Sequence, residues 1–298
     1  MDKFIEQFLS FGIEISKNPN EALVYDVSDK NGVMLSGRQF KQIYQAFLKA
    51  PTGKDNPSVR VLADGDSWID ILWPLSALFG YERTFFDVIQ AGRKIHTKEF
   101  AFPGDRFEDI LAGKEYITDL KSATYQYFVF SGGGNDVLGG GALRRFLKDR
   151  EATDPMKPAE TWFDMKRIEN AFQKISNGYE QLAKETKTYA SGKTDLLIHG
   201  YDYPIPRSGE PWLGEPLEDR GYDLKKDAVQ IAAIFVFLVD SLYDLLARVA
   251  RKHSCVQVID LRNIVGSRWN DELHPKTNAS QEIAKQFIDE MAINSDAA

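Results

Sequence analysis

Acyl transfer needs a nucleophile, a base that can take its proton, a group that orients the base, and donors for the oxygen that becomes negative. The chain holds residue types for each role. Ser67 ends the stretch Val59-Arg60-Val61-Leu62-Ala63-Asp64-Gly65-Asp66-Ser67, in which a short aliphatic segment runs into a Gly-Asp-Ser turn. A strand that ends in a tight turn exposes the turn residue at the carboxyl edge of a sheet, where open α/β folds place their chemistry. An apolar segment, 69–79, follows and reads as a helix, so the Ser67 N–H is expected near a helix N-terminus. A serine at such a position also caps helices, and both readings stand on this stretch alone.

The base is sought among four histidines. His274 lies in Trp269-Asn270-Asp271-Glu272-Leu273-His274-Pro275, where an aspartate three residues earlier can fold back and accept a proton from Nδ1. Nε2 is then left as an acceptor facing a nucleophile. A solvated turn before a helix would look the same. His96 falls in a charged connector and His253 at the end of a long helical segment. His199 ends a strand on the correct edge but has no aspartate a few residues upstream, so it is expected to support the site or touch substrate.

Amide donors come from two glycine-containing turns. In Phe130-Ser131-Gly132-Gly133-Gly134-Asn135-Asp136 the glycines turn the chain sharply, and Asn135 can offer its side-chain amide or simply satisfy a local turn. In Phe102-Pro103-Gly104-Asp105-Arg106-Phe107 the Gly104 N–H is a further donor, with Gly92 as its competitor.

These residues need a scaffold that brings them to one edge. Expected strands are 59–63, 86–90, 125–131, 195–199 and 256–260, each short and rich in Val, Ile, Leu, Phe or Tyr. Helical patterns fall at 69–79, 107–111, 161–189, 224–252 and 278–292. Buried strands alternating with helices predict a parallel five-stranded sheet covered on both faces, a three-layer α/β/α sandwich over residues 57–298. Residues 1–56 read as an appendage: a helix carrying Phe4, Ile5, Phe8, Leu9 and Ile13, a hairpin around Asn31-Gly32, a helix over 37–49, and a linker over 51–57. Its expected role is packing on the main domain or contact between copies of the chain.

Two inserted loops, about 138–158 and 200–222, are longer than crossovers require. The second carries Tyr201, Tyr203, Trp212 and Tyr222, suited to a sugar ring or to ordinary packing, and Arg207, suited to a substrate anion or to solvent.

Composition sets the bounds. The 298 residues are 43% hydrophobic with a net charge of −7, which argues against nucleic acid or an anionic membrane as the main partner. Cys255, the one cysteine, sits in an apolar strand-like segment and allows no intrachain disulfide. Acidic residues near the start do not fit a signal peptide, no unbroken apolar stretch of spanning length occurs, and cytoplasmic residence is the expectation.

The order of the motifs closely resembles the SGNH (GDSL-type) hydrolase family. Gly65-Asp66-Ser67 follows the first strand, a glycine turn the second, Gly133-Gly134-Asn135-Asp136 the third, and Asp271-x-x-His274 precedes the last helix. The resemblance covers most of residues 57 to 293. It implies a flavodoxin-like sheet of order 2-1-3-4-5 and hydrolysis of a small-molecule ester through an acyl-enzyme, with no metal or organic cofactor. It assigns Ser67 as nucleophile, His274 as base and Asp271 as its orienting group, with the Ser67 N–H, Gly104 N–H and Asn135 side chain as oxyanion hole. Trp68 stands where the family commonly has leucine. Trp68, His199, Tyr201 and Tyr203 are the expected substrate contacts, and acetyl or other short acyl esters the expected substrates. Action on long acyl chains, acyl transfer to an alcohol and an inactive binding module are the alternatives.

Overall fold

The computed structural model describes residues 6, 9–10, 12–18, 23–29, 31–32, 34–48, 59–92 and 94–291, with the backbone alone for 43–48. Most of the first expected helix, the 51–57 linker, Lys49 and Ala292 lie outside the described residues.

Five strands form one parallel sheet: β4 (Val59–Gly65), β5 (Ile95–Glu99), β6 (Tyr127–Ser131), β7 (Asp195–His199) and β8 (Val256–Ile259), in the order β5-β4-β6-β7-β8. Numbered within the sheet this is 2-1-3-4-5, so the strand order reverses beside β4 and a crevice opens at its carboxyl end. Side chains alternate across the pleat and divide the core in two. Leu62, Phe128, Phe130, Leu196 and Ile198 face α3 (Phe107–Gly113), α6 (Met165–Tyr189) and α8 (Ala228–Lys252). Val61, Ala63, Val129, Leu197 and Ile259 face α2 (Phe85–Gln90) and α9 (Thr277–Glu290). The architecture is therefore the three-layer α/β/α sandwich.

Two expected elements differ. The segment 86–90 is not a strand but belongs to α2, where Phe85, Phe86 and Ile89 share one buried helical face and Phe85 stacks on Phe287 of α9 at 4.7 Å. Thr84 caps it: Asp87 N–H donates to Thr84 Oγ1 (3.1 Å) and Thr84 N–H to Asp87 Oδ2 (2.8 Å), which commits the chain to a helix start. The second strand is Ile95-His96-Thr97-Lys98-Glu99, which sits at the sheet edge, half-exposed, and so lacks the apolar signature of its neighbours. His96 is thus a strand residue and not part of a connector.

Nor is 69–79 a helix. Asp66 accepts from Trp68 N–H (3.0 Å) and Asp70 from Leu72 N–H (2.7 Å), side-chain turns that compete with helical hydrogen bonding. Pro74 supplies no N–H, and only Leu75–Phe79 winds into a 3₁₀ turn. Ser67 therefore precedes a series of turns, and its N–H gains no helix dipole.

The N-terminal strands β1 (Glu14–Lys17), β2 (Tyr25–Ser28) and β3 (Met34–Leu35) form an antiparallel sheet, with Val27 opposite Leu35 as a hairpin about Asn31-Gly32 requires. This sheet and α1 (Gly37–Leu48) bury Val24, Tyr25, Val27 and Phe40 against Leu72, Leu75 and Phe102. The seam also holds a buried ion cluster: Lys41 Nζ lies 2.7 Å from Asp70 and 3.3 Å from Glu99 and donates to the Ala101 carbonyl.

α8 is the one helix among the described residues long and apolar enough to cross a membrane, but it lies on the sheet with Ile231, Ile234, Phe235, Leu238, Leu245 and Leu246 buried in the core. Cys255 is a free, buried thiol just before β8.

Asp64, near the end of β4, is buried, and burial pushes its carboxyl up to about 7 against the pull of the Gly65 N–H and Lys41. A carboxyl raised in the folded state is stabilising while protonated; that contribution is complete below about pH 4 and is lost as pH rises to about 7. Asp64→Asn should therefore raise Tm by about 5 °C at pH 8 and by little at pH 4. Thermal unfolding across this range tests it, and an equal shift at both ends would contradict the assignment.

Candidate active site

Gly65 makes the site possible. Its φ is +146°, and a Cβ there would lie 2.3 Å from the Ser131 carbonyl oxygen, so only glycine lets β4 turn this close to β6. Ser67 then stands at the carboxyl edge of the sheet, buried but lining a cavity.

His274 arrives from the loop after β8. That loop is closed on itself: Asn270 N–H donates to the His274 carbonyl (2.7 Å), Lys276 N–H to the Arg268 carbonyl (2.9 Å), and Trp269 pairs with Pro275. Asp271 folds back within it. Its Oδ1 accepts from the N–H groups of Leu273 and His274, each at 2.8 Å, and its Oδ2 lies 2.7 Å from His274 Nδ1. His274 Nε2 is 2.9 Å from Ser67 Oγ.

Burial would raise the Asp271 pKa, but the His274 charge, the ring hydrogen bond and the two backbone donors outweigh it and hold it down to about 2. An ionised carboxylate only accepts, so the ring proton facing Asp271 sits on Nδ1; in the neutral ring Nε2 is then the acceptor and the Ser67 hydroxyl donates to it. The arrangement can move a proton from Ser67 to the ring as Oγ attacks an electrophile.

Gly104 and Asn135 line the same cavity as Ser67 and His274. Gly104 has φ +83°, with nothing within 4 Å of where a Cβ would stand. Among the described residues the N–H groups of Ser67 and Gly104 make no hydrogen bond. Asn135, in α5 (Gly134–Val137), donates through Nδ2 to the Asp105 carbonyl (3.0 Å), and Asp136 accepts from Phe107 N–H (3.1 Å). These two bonds hold the Asn135 turn against the Gly104 turn. Gly92 is not in the site: it precedes β5 and so lies at the opposite edge of the sheet.

The other expected contacts divide. Tyr201, Trp212 and Trp68 line the cavity. Trp68 also donates from its indole to the Leu273 carbonyl (3.0 Å), tying the serine turn to the histidine loop. His199 does not line the cavity. It is fully buried among Trp68, Phe85, Tyr201 and Phe287, its Nδ1 bonds the Gly200 carbonyl, and burial lowers its pKa to about 4, keeping it neutral. Tyr203 bonds Asp240 (2.8 Å) away from the cavity, and Tyr222 is buried in the core. Arg207 is not free for a substrate anion, because its guanidinium donates to the carbonyls of Trp269 and Asn270 at 3.0 and 2.9 Å.

Three carboxylates organise these loops. Asp66 accepts from Ser131 Oγ (2.7 Å) and from Tyr201 Oη (2.5 Å), while Tyr201 Oη accepts from Gly134 N–H (3.0 Å), so one chain of bonds links the serine turn to the asparagine turn. Glu272, fully buried, accepts from the N–H groups of Arg207, Trp212, Leu213 and Gly214 at 2.7 to 3.1 Å and fastens the 200–222 loop beside His274. Asp202 does the same for the loop after β8, accepting from Asn263 and Val265 N–H at 2.7 and 2.6 Å. Asp66 lies inside the Gly-Asp-Ser turn, whereas the only sequence signal of Glu272 and Asp202 is an acid in a loop, which solvated acids share. The Tyr81 ring meets His274 edge-on at 6.0 Å.

Among the described residues no cluster of His, Cys, Asp or Glu could hold a metal ion.

No family model matches the chain, and no curated protein does. Solved structures similar to it include an extracellular lipase from Streptomyces rimosus, 16% identical over 78% of this chain and 99% of that one, with a TM-score of 0.48. A lipase from a goat rumen metagenome is 14% identical over 77% of this chain and 96% of that one, TM-score 0.47. An acetylxylan esterase from Geobacillus stearothermophilus is 14% identical over 81% and 97%, TM-score 0.43.

Proposed function

We propose that the chain is a serine ester hydrolase of the SGNH (GDSL-type) kind, acting through an acyl-enzyme on Ser67. The observation that carries this reading is one unbroken line of contacts, Asp271 Oδ2 to His274 Nδ1 at 2.7 Å and His274 Nε2 to Ser67 Oγ at 2.9 Å, in a cavity also lined by Gly104 and Asn135. The sheet order 2-1-3-4-5 and the motif order along the chain support it.

In this mechanism Ser67 Oγ attacks the ester carbonyl carbon while its proton passes to His274 Nε2. Asp271 stabilises the imidazolium that results. The carbonyl oxygen, now negative, accepts from the Ser67 and Gly104 N–H groups and from Asn135 Nδ2. Collapse of the tetrahedral adduct breaks the bond to the alcohol oxygen, which leaves with the His274 proton. Water then attacks the acyl-enzyme by the same route and releases the acid.

Labelling with a fluorophosphonate tests the reading, because this probe phosphonylates activated serines. The wild type should label and Ser67→Ala should not; a folded wild type that stays unlabelled, or a mutant that labels equally, would refute it. Asn135→Ala should lower kcat/KM about a hundred- to a thousandfold, the usual cost of one oxyanion donor. The loss should fall on kcat more than KM, since the donor is aimed at charge present only in the transition state.

A further inference from the structure

Ser67, His274, Gly104, Asn135, Asp66 and Asp202 bring polar groups to the Ser67 cavity, and most of the rest of its lining is apolar. Val137 and Leu138 continue from the Asn135 turn, Phe172 and Ile175 come from α6, and Val239 and Leu242 from α8. Ile175 stands close behind the Asn135 turn, its Cγ2 3.1 Å from where a Cβ on Gly133 would be. The apolar cleft therefore starts at the reacting serine.

One wall residue comes from outside the sandwich. Leu23 lies at the entry to β2 of the N-terminal sheet and lines the same cavity. It is 8% exposed, yet among the described residues it joins none of the three packed hydrophobic clusters, whereas Val24 and Tyr25 beside it are core. Its φ of +61° is left-handed, a conformation that disfavours a leucine and tends to occur where a side chain is held for function. Tyr25 anchors the strand behind it by stacking on Phe79 at 4.7 Å, and the Lys41–Asp70 ion pair holds the appendage to the serine turn.

We propose that the acyl group of the substrate is an unbranched apolar chain of about eight carbons or more, lying in the cleft between α6 and α8, with Leu23 of the N-terminal sheet as a specificity-determining wall. This rests on the serine ester hydrolase reading and replaces the expectation of acetyl or short acyl esters. An acetyl group would reach only the groups beside Ser67 and leave the apolar walls with no counterpart. A longer chain takes its methylenes out of water, each favouring the bound state about fourfold. The appendage is then part of the active site and not a separate module.

The test is kcat/KM for p-nitrophenyl acetate, butyrate, octanoate and decanoate, measured on the wild type, Ser67→Ala, Leu23→Ala, Leu23→Trp and Val239→Phe, with each variant's Tm recorded. The wild type should prefer octanoate to acetate by at least about a hundredfold, six methylenes partly removed from water. Leu23→Ala should reduce that preference about tenfold by opening the wall, and Leu23→Trp and Val239→Phe should move the optimum to shorter chains by narrowing the cleft. Val239 lies on a different element, so a folding defect in the appendage cannot by itself hide the outcome.

A wild type that prefers acetate, with Ser67→Ala inactive, would overturn the acyl-chain inference and leave the serine mechanism standing. Ser67→Ala as active as wild type on every ester would overturn both. An unaltered profile in folded Leu23 variants would overturn the role of the appendage.

Discussion

Ser67→Ala and His274→Ala should each lower kcat/KM by about five orders of magnitude for any ester the wild type cleaves. The double variant should be scarcely worse than either single one. Oγ and Nε2, 2.9 Å apart, act as one unit: without the ring the hydroxyl keeps its proton, and without the hydroxyl the ring has nothing to activate. The residual rate in each variant should be similar, because it comes from the oxyanion donors and substrate binding that all three proteins retain. Burst kinetics check the covalent step directly. A wild type that releases an initial stoichiometric pulse of p-nitrophenol, absent in Ser67→Ala, would fit an acyl-enzyme. Losses that multiplied in the double variant would show two independent functions and refute the shared proton transfer.

Asp271→Asn should cost about four orders of magnitude in kcat with the fold intact. The local geometry says why so small a change matters. Backbone N–H groups of Leu273 and His274 hold Oδ1, so an asparagine would keep its carbonyl oxygen there and present its NH₂ at the Oδ2 position, 2.7 Å from Nδ1. A donor facing Nδ1 moves the ring proton to Nε2, which then cannot accept from Ser67. The nitrogen resonances of the His274 ring would report this exchange of tautomers, which a loosened loop would not produce. The carboxylate also contributes to stability. With its pKa lowered to about 2, that contribution is present above about pH 4 and is lost as pH falls toward 2. A mutant that kept wild-type kcat with its ring proton moved would break the link between tautomer and turnover.

Much of this architecture was legible in the chain because local and tertiary preferences agree. Phe128 and Phe130 on one face and Val129 on the other are each buried, so β6 reads as a strand under any context. The 25 residues of α6 and of α8 carry repeated apolar stripes that a helix alone can bury on one side. The Asp271-x-x-His274 spacing is short enough for one loop to orient the ring, so that pair needed no distant element. Where the neighbourhood decides, the reading failed. β5 is polar because it is an edge, and the 86–90 segment with Phe86 and Ile89 has the composition of a strand, whereas α9 supplies the surface that these residues cover as a helix.

By itself the sequence determined the residue types for acyl transfer, their order along the chain and an α/β alternation of sandwich type, because hydrophobic period and turn chemistry act over a few residues. Only the tertiary structure decided which groups meet. Ser67 and His274 are 207 positions apart in sequence, and their contact at 2.9 Å exists because parallel strands deliver both loops to one edge. The same holds for the buried acids Asp66, Asp202 and Glu272 and for Leu23. Each owes its role to partners far along the chain, and no local pattern separates a carboxylate that organises a loop from one that faces water.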